Sequence, residues 1–194
     1  MFMQGFLFTV SLQCVIRAVC VICFSVCGAS TASAETSTPR PYRAVWPEGW
    51  EVSYLPSPKT DSGKNLGGER VRVLLKVDGV AVAAAIELTY FPRSDKGQTS
   101  SAEEFAQVRE NMQAIYQQQK FQVNLTPTQS ILMGGQSALT TELSIANDSR
   151  RLKQWIGVVL SPQFFYSLTF TAGEENFARF LPQFDAVKQS ITLQ

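Results

Sequence analysis

Three groups of side chains in this sequence stand where chemistry could use them: paired carboxylates, a lysine among glycines, and a basic cluster near tryptophan. Glu103-Glu104 and Glu174-Glu175 are adjacent acids, and a two-carboxylate hydrolase needs a pair of acids flanking its substrate. Each pair also falls where a helix is expected to start, and carboxylates in a first turn are favoured by the helix dipole. That explanation accounts for both pairs. Lys64 lies in Gly63-Lys64-Asn65-Leu66-Gly67-Gly68. A phosphate-cradling loop follows a strand and carries its lysine after glycine at the head of a helix. The order here differs and no helix follows, so the segment reads as loop.

Arg150, Arg151 and Lys153 cluster at an expected hairpin. They suit an acidic partner or a lipid headgroup, and equally suit a sheet edge kept from pairing by its charges. Trp46, Trp50 and Trp155 could line a groove, because tryptophan is enriched at binding hot spots. Tryptophan is also a large core residue, and two of the three are expected in the core.

What is missing narrows the chemistry further. The chain has no histidine, and its four cysteines are Cys14, Cys20, Cys23 and Cys27. Beyond residue 34 there is neither His nor Cys. Ser-His-Asp and Cys-His catalysis, thiol redox chemistry and ordinary zinc sites therefore have no side chains to use. Asp61, Asp78, Asp95 and Asp148 fall in loops and turns, where turn chemistry explains them, and none has calcium-loop spacing. No cofactor and no metal is expected, and the protein reads as non-enzymatic.

Residues 1–34 contain no Asp or Glu, hold an apolar core at Ala18 to Val26, and end in Ala32-Ser33-Ala34. This is the pattern of a secretory leader, with cleavage expected between Ala34 and Glu35 and a periplasmic or secreted product. Arg17 interrupts the apolar run, and a membrane span needs about 20 apolar residues, so no stable span is expected after cleavage. Lipidation is disfavoured because Val26 precedes Cys27 and Ile22 precedes Cys23, where a small residue is wanted. Without Arg17 the chain carries 16 basic and 16 acidic residues. Such neutrality lacks the electrostatic footprint of a nucleic-acid binder. Residues 35–45 read as a disordered spacer rich in Pro, Ser and Thr, and residues 46–194 as one domain large enough for its own core.

Within that domain, Glu51 to Leu55 and Arg70 to Lys76 alternate as strands do. Asp78-Gly79 is a hairpin signal, and Val80 to Tyr90 continues as a more apolar strand. A helix follows from Ser100 or Ser101, with Phe105, Val108, Met112 and Ile115 on one face. Strands interrupted at Pro127, Gly134-Gly135, Asn147-Asp148 and Ser161-Pro162 come next, the last from Phe164. A closing helix is expected after Gly173, with Glu174 and Glu175 in its first turn and Phe177, Phe180, Phe184, Val187 and Ile191 on its buried face. Pro182 predicts a kink or break near Leu181. The fold class is α+β: an antiparallel meander of about six to seven strands covered by two amphipathic helices.

The chain resembles the PsbP and DcrB group of domains, which includes the Mog-type Ran-binding proteins. Three features carry the likeness: the opening Trp46-Pro47-Glu48-Gly49-Trp50-Glu51, the Ser101 to Phe105 helix start, and the closing series Phe177, Phe180, Phe184, Val187, Ile191. The resemblance, over Trp46 to Leu193, implies an antiparallel sheet sandwiched by helices, in small exported proteins that bind or assist others without catalysis. The expected function is an exported accessory protein with a protein partner of immunity or chaperone type. Its surface would involve Trp46, Trp50, Lys64, Arg150, Arg151 and Lys153. The alternative is a carrier of a small apolar ligand in a sheet–helix cavity lined by Phe105, Met112, Phe177 and Phe184.

Overall fold

The structure, a computed structural model, describes residues 39–56, 65–79, 81–93 and 101–194. The leader, residues 35–38, Lys64 and most of the loop before Glu69 lie outside the described residues, as does Ser100. The elements run β1 (Tyr42–Arg43), β2 (Glu51–Leu55), β3 (Glu69–Val77), β4 (Ala81–Pro92), α1 (Ser101–Gln118), β5 (Gln122–Leu125), β6 (Gln129–Met133), β7 (Gln136–Ala146), β8 (Arg151–Leu160), β9 (Phe164–Gly173), α2 (Phe177–Ser190) and β10 (Thr192–Leu193).

Eight strands form one antiparallel sheet in the order β2-β3-β4-β9-β8-β7-β5, and β6 pairs with β7 on the same side as β5. β1 and β10 form a separate two-stranded pair. The count exceeds the six to seven expected, and the sheet is not one continuous meander. Two meanders, β2 to β4 and β5 to β9, meet where β4 pairs with β9. The physical reason is burial. These two strands are rich in apolar residues and are covered on both faces, so they belong at the centre.

The β3–β4 hairpin turns at Asp78 and Gly79, both at positive φ (52° and 71°). That backbone twist suits tight hairpins, and these residue types tolerate it.

Side-chain alternation sends two different cores to the two sheet faces. On one face Val71, Val73, Ile86, Leu88, Leu168 and Phe170 pack with Phe177, Phe180, Phe184 and Val187 of α2. On the other, Leu143, Ile145, Ile156, Val158 and Phe165 pack with Phe105, Val108, Met112 and Tyr116 of α1. Tyr116, rather than Ile115, completes the buried stripe of α1. Glu103 and Glu104 lie in its first turn as expected. Glu104 also takes a 3.0 Å ion pair from Arg93 at the end of β4, which fixes how α1 enters.

α2 corrects two expectations. It begins at Phe177, so Glu174 and Glu175 precede it rather than forming its first turn. It also runs unbroken through Pro182. A proline inside a helix removes one backbone bond and crowds the preceding turn, but four buried residues on both sides of Pro182 hold the helix to the sheet.

The described end of the chain that was read as spacer is already part of the fold, with Tyr42–Arg43 forming β1. Tyr42 is 6% exposed, and Arg40 reaches Glu69 through Nε at 2.8 Å and Nη2 at 3.1 Å. Tyr42 is held because its ring packs on Tyr90 while its hydroxyl donates to Glu69.

Candidate functional site

The segment before β2 crosses the C-terminal half of α2 and leaves a groove between them. Ser190 fixes the crossing: its hydroxyl accepts from the Val45 N–H at 3.0 Å and donates to the Val187 carbonyl at 2.9 Å. Trp50 stands edge-on to Phe180, with ring centroids 6.3 Å apart. Trp46 and Trp50 are half-buried against the core beneath α2. The groove has a volume of about 600 Å³ and is lined by Val45, Trp46, Pro47, Glu48 and Trp50 on one wall. Gln183, Ala186, Val187 and Ser190 form the other. Val45 is 71% exposed at its lip. An apolar floor with a polar rim is the build of a protein-docking site. The tryptophans were legible as candidates, whereas the α2 wall was not, because its residues are ordinary helix-surface types.

The other expected surface residues are elsewhere. Arg150 and Arg151 are exposed at the β7–β8 hairpin, beside the approach to the N-terminus of α2, where the Glu174 N–H donates to the Arg151 carbonyl. Arg151 lies 4.0 Å from Glu174, and Lys153 pairs with Glu142 at 2.9 Å while sitting over the Phe177 ring. The basic group therefore stands at the opposite end of α2 from the tryptophan groove. It does not mark a sheet edge either, because β8 pairs with β7 and β9. Lys64 lies outside the described residues. The third tryptophan, Trp155, is core, packed against Phe184. A single cavity lined by Phe105, Met112, Phe177 and Phe184 does not form. The first two belong to α1 and the last two to α2, on opposite faces of the sheet, and each is at most 2% exposed.

Sequence reasoning missed a buried charge cluster. Pair registers align Arg72, Glu87, Thr169 and Ile156 across four strands. Glu87 is 2% exposed. It accepts a hydrogen bond from Arg72 Nε at 3.1 Å, with Arg70 Nη1 at 4.0 Å. Burial pushes its carboxyl above the usual carboxylate range, against the opposing pull of Arg70 and Arg72. The same burial lowers Arg70. Thr89, Ser167 and Thr171 extend this polar strip, and Gln154 Nε2 donates to Thr171 at 2.8 Å. The signal was present as one acid in the apolar run of β4 and as alternating hydroxyls in β9. Among the described residues no three acids stand close enough to hold a metal.

An antiparallel sheet with one helix on each face and both ends of the described chain on one face defines a PsbP/DcrB-like α+β sandwich. Solved structures share that fold. The solution structure of the cyanobacterial PsbP (CyanoP) from Synechocystis sp. PCC 6803 is 14% identical, with a TM-score of 0.54, and the match covers 84% of this chain and 98% of that one. LpqN of Mycobacterium tuberculosis, involved in cell envelope biogenesis, is 13% identical with a TM-score of 0.50, over 79% and 83% of the two chains. PA94 of Pseudomonas aeruginosa, a protein of unknown function, is 15% identical with a TM-score of 0.51, over 75% and 97%. No curated protein matches the chain. The chain belongs to the family described as a domain of unknown function, DUF4946, whose model matches residues 42–193.

Proposed function

We propose that this is an exported, non-enzymatic accessory protein that binds another protein, in the manner of an immunity or chaperone factor, in the periplasm. The observation that carries the reading is the groove between Trp46-Trp50 and α2, with apolar walls, a polar rim and Val45 71% exposed at its lip. Such a groove suits a partner that inserts an aliphatic or aromatic anchor, with the rim excluding water around it. Export rests on the leader pattern, with Glu35 as the first residue of the mature chain. Among the described residues no helix is long and apolar enough to cross a membrane. An envelope setting accords with LpqN, whose own role is in cell envelope biogenesis.

The test is recovery of a stoichiometric partner from periplasm by the tagged full chain, and its loss with Val45→Arg. Val45 is the choice because its exposure leaves folding unaffected. Recovery of no stoichiometric partner by the parent, or equal recovery by Val45→Arg, overturns the proposal. Intact mass of the exported protein locates the cleavage site independently.

A further inference from the structure

The sheet has two edges, and they differ in chemistry. β2 carries charge: Glu51 pairs with Lys76 of its neighbour at 2.6 Å. The opposite edge is formed by β5 and β6, end to end along β7. Residues 121–141, which contain both strands, include no Asp, Glu, Lys or Arg. Natural sheets blunt exposed edges with charges, prolines or bulges. Here the only such device is Pro127, between the two strands.

The backbone of β5 is set up for a further strand. The Thr126 N–H donates to the Glu142 carbonyl on β7. Antiparallel strands alternate between bonded and non-bonded positions. Asn124 and Gln122 therefore share the inward orientation of Thr126, while the N–H and C=O groups of Val123 and Leu125 point out of the sheet. Among the described residues no strand pairs on that side.

A groove of about 650 Å³ runs beside the same edge, on the α1 face. Val123, Leu125 and Leu139 form its floor; Ala102 and Ala106 of α1 leave room in its wall, which Arg109 and Glu110 also line. Further along the same edge, Leu132 is 80% exposed. Its register partner is Ser137, two residues before Leu139, so Leu132 points to the same face of the sheet.

We infer that the β5 edge is a second binding site, which takes an extended, uncharged segment of another protein as an added strand. Main-chain bonds to Val123 and Leu125 would hold the segment, and its alternate apolar side chains would enter the groove under α1. That division, backbone for affinity and pockets for specificity, is how strand addition works. A neutral segment is the occupant because residues 121–141 carry no charge. Of the two charged side chains that line the groove, Arg109 and Glu110, Arg109 is already engaged by the Thr126 carbonyl and the Thr128 hydroxyl, and the two opposite signs side by side favour neither charge. The site is distinct from the tryptophan groove, which lies on the α2 face.

The test uses the full chain and synthetic, end-capped octapeptides alternating Thr with Val or Leu, followed by amide chemical shifts. Binding is expected to move the Val123 and Leu125 amides and to slow their hydrogen exchange. Val123→Pro removes one outward N–H and leaves pairing with β7 intact. It is expected to weaken binding at least tenfold in a chain that still unfolds cooperatively, at a midpoint lowered by the lost Val123 packing. Ala106→Trp fills the groove from the helix side and is expected to weaken binding as much. A peptide in which Lys replaces the apolar residues is expected not to bind. Binding that survives both substitutions, shifts confined to the α2 face, or no binding by any neutral peptide at millimolar concentration overturns the inference. Self-association through this edge, seen as concentration-dependent shifts at Val123 without peptide, also overturns it, because the occupant is then a second copy.

Discussion

Glu87 is the residue at which folding and pH are most directly coupled. Its folded-state carboxyl is raised by burial, so over a window of pH the folded protein keeps a proton that the unfolded chain has released. The stability this group contributes is therefore fully present below the ordinary glutamate value, about pH 4. It is lost as pH rises through the raised one. Glu87→Gln keeps the shape and removes the titration. Thermal unfolding of the parent is expected to lose midpoint relative to Glu87→Gln as pH rises above about 4, and parallel profiles would refute the coupling. Gly157 is a second residue with a sharp requirement. A Cβ there would run into the ring of Trp155, and that ring is packed on Phe184. Gly157→Ala is expected to cost about 1–3 kcal/mol, as overpacking does, with a red shift of tryptophan emission as the ring is displaced. Denaturant unfolding with no loss of midpoint would show that the ring can move freely.

Element by element, local pattern was readable and pairing was not. Period-2 alternation located β2, β3 and β4, and the turns at Asp78-Gly79, Gly134-Gly135 and Asn147-Asp148 set where hairpins close. The partnership of β4 with β9 was invisible because nothing in either strand names a neighbour about 80 residues away. Glu87 was overlooked for a related reason: its meaning depends on Arg70 and Arg72, which only the hairpin register brings beside it. Trp46 and Trp50 were recognisable by type, but their groove needs α2, whose contribution is shape rather than motif. The start of α2 was misplaced by Glu174 and Glu175, which have first-turn chemistry but sit in the turn ahead of Phe177. Pro182 was given too much weight, since packing of Phe177, Phe180, Phe184 and Val187 outweighs one missing backbone bond. The side chain of Pro182 is exposed, so replacing it sacrifices no core contact. Pro182→Ala is expected to stabilise the protein by ~1–3 kcal/mol, the interior-proline penalty reduced by the greater freedom of the unfolded chain. A lower midpoint in urea would mean that the proline is favourable where it stands.

At the scale of the whole molecule, the two ends of the described chain are tied together over the α2 face. β1 pairs with β10 through Tyr42–Leu193 and Arg43–Thr192, and the Gln194 N–H donates to the Pro41 carbonyl at 3.0 Å. Beneath them the Tyr166 hydroxyl, on central strand β9, lies 3.0 Å from both the Pro41 and the Gln194 carbonyls. It has one proton and can donate to one at a time. Burial pushes its pKa up to about 12, against the lowering effect of the Gln194 bond. The opening segment then continues to Val45, Trp46 and the groove, so the tether also positions one wall of the proposed docking site. A chain beginning at Trp46 loses the buried Tyr42 ring, the Arg40–Glu69 pair and the Val45–Ser190 bond. Burying an aromatic side chain is worth roughly 1.5–3 kcal/mol, and each hydrogen bond about 0.5–1.5 kcal/mol. Compared with a chain beginning at Pro39, it is expected to be less stable by about 3–5 kcal/mol. Tyr166→Phe in the longer chain should reproduce only the loss of one bond, about 1 kcal/mol. Urea unfolding of the three proteins separates the contributions. Equal midpoints for the two chain lengths would show that the tether is dispensable.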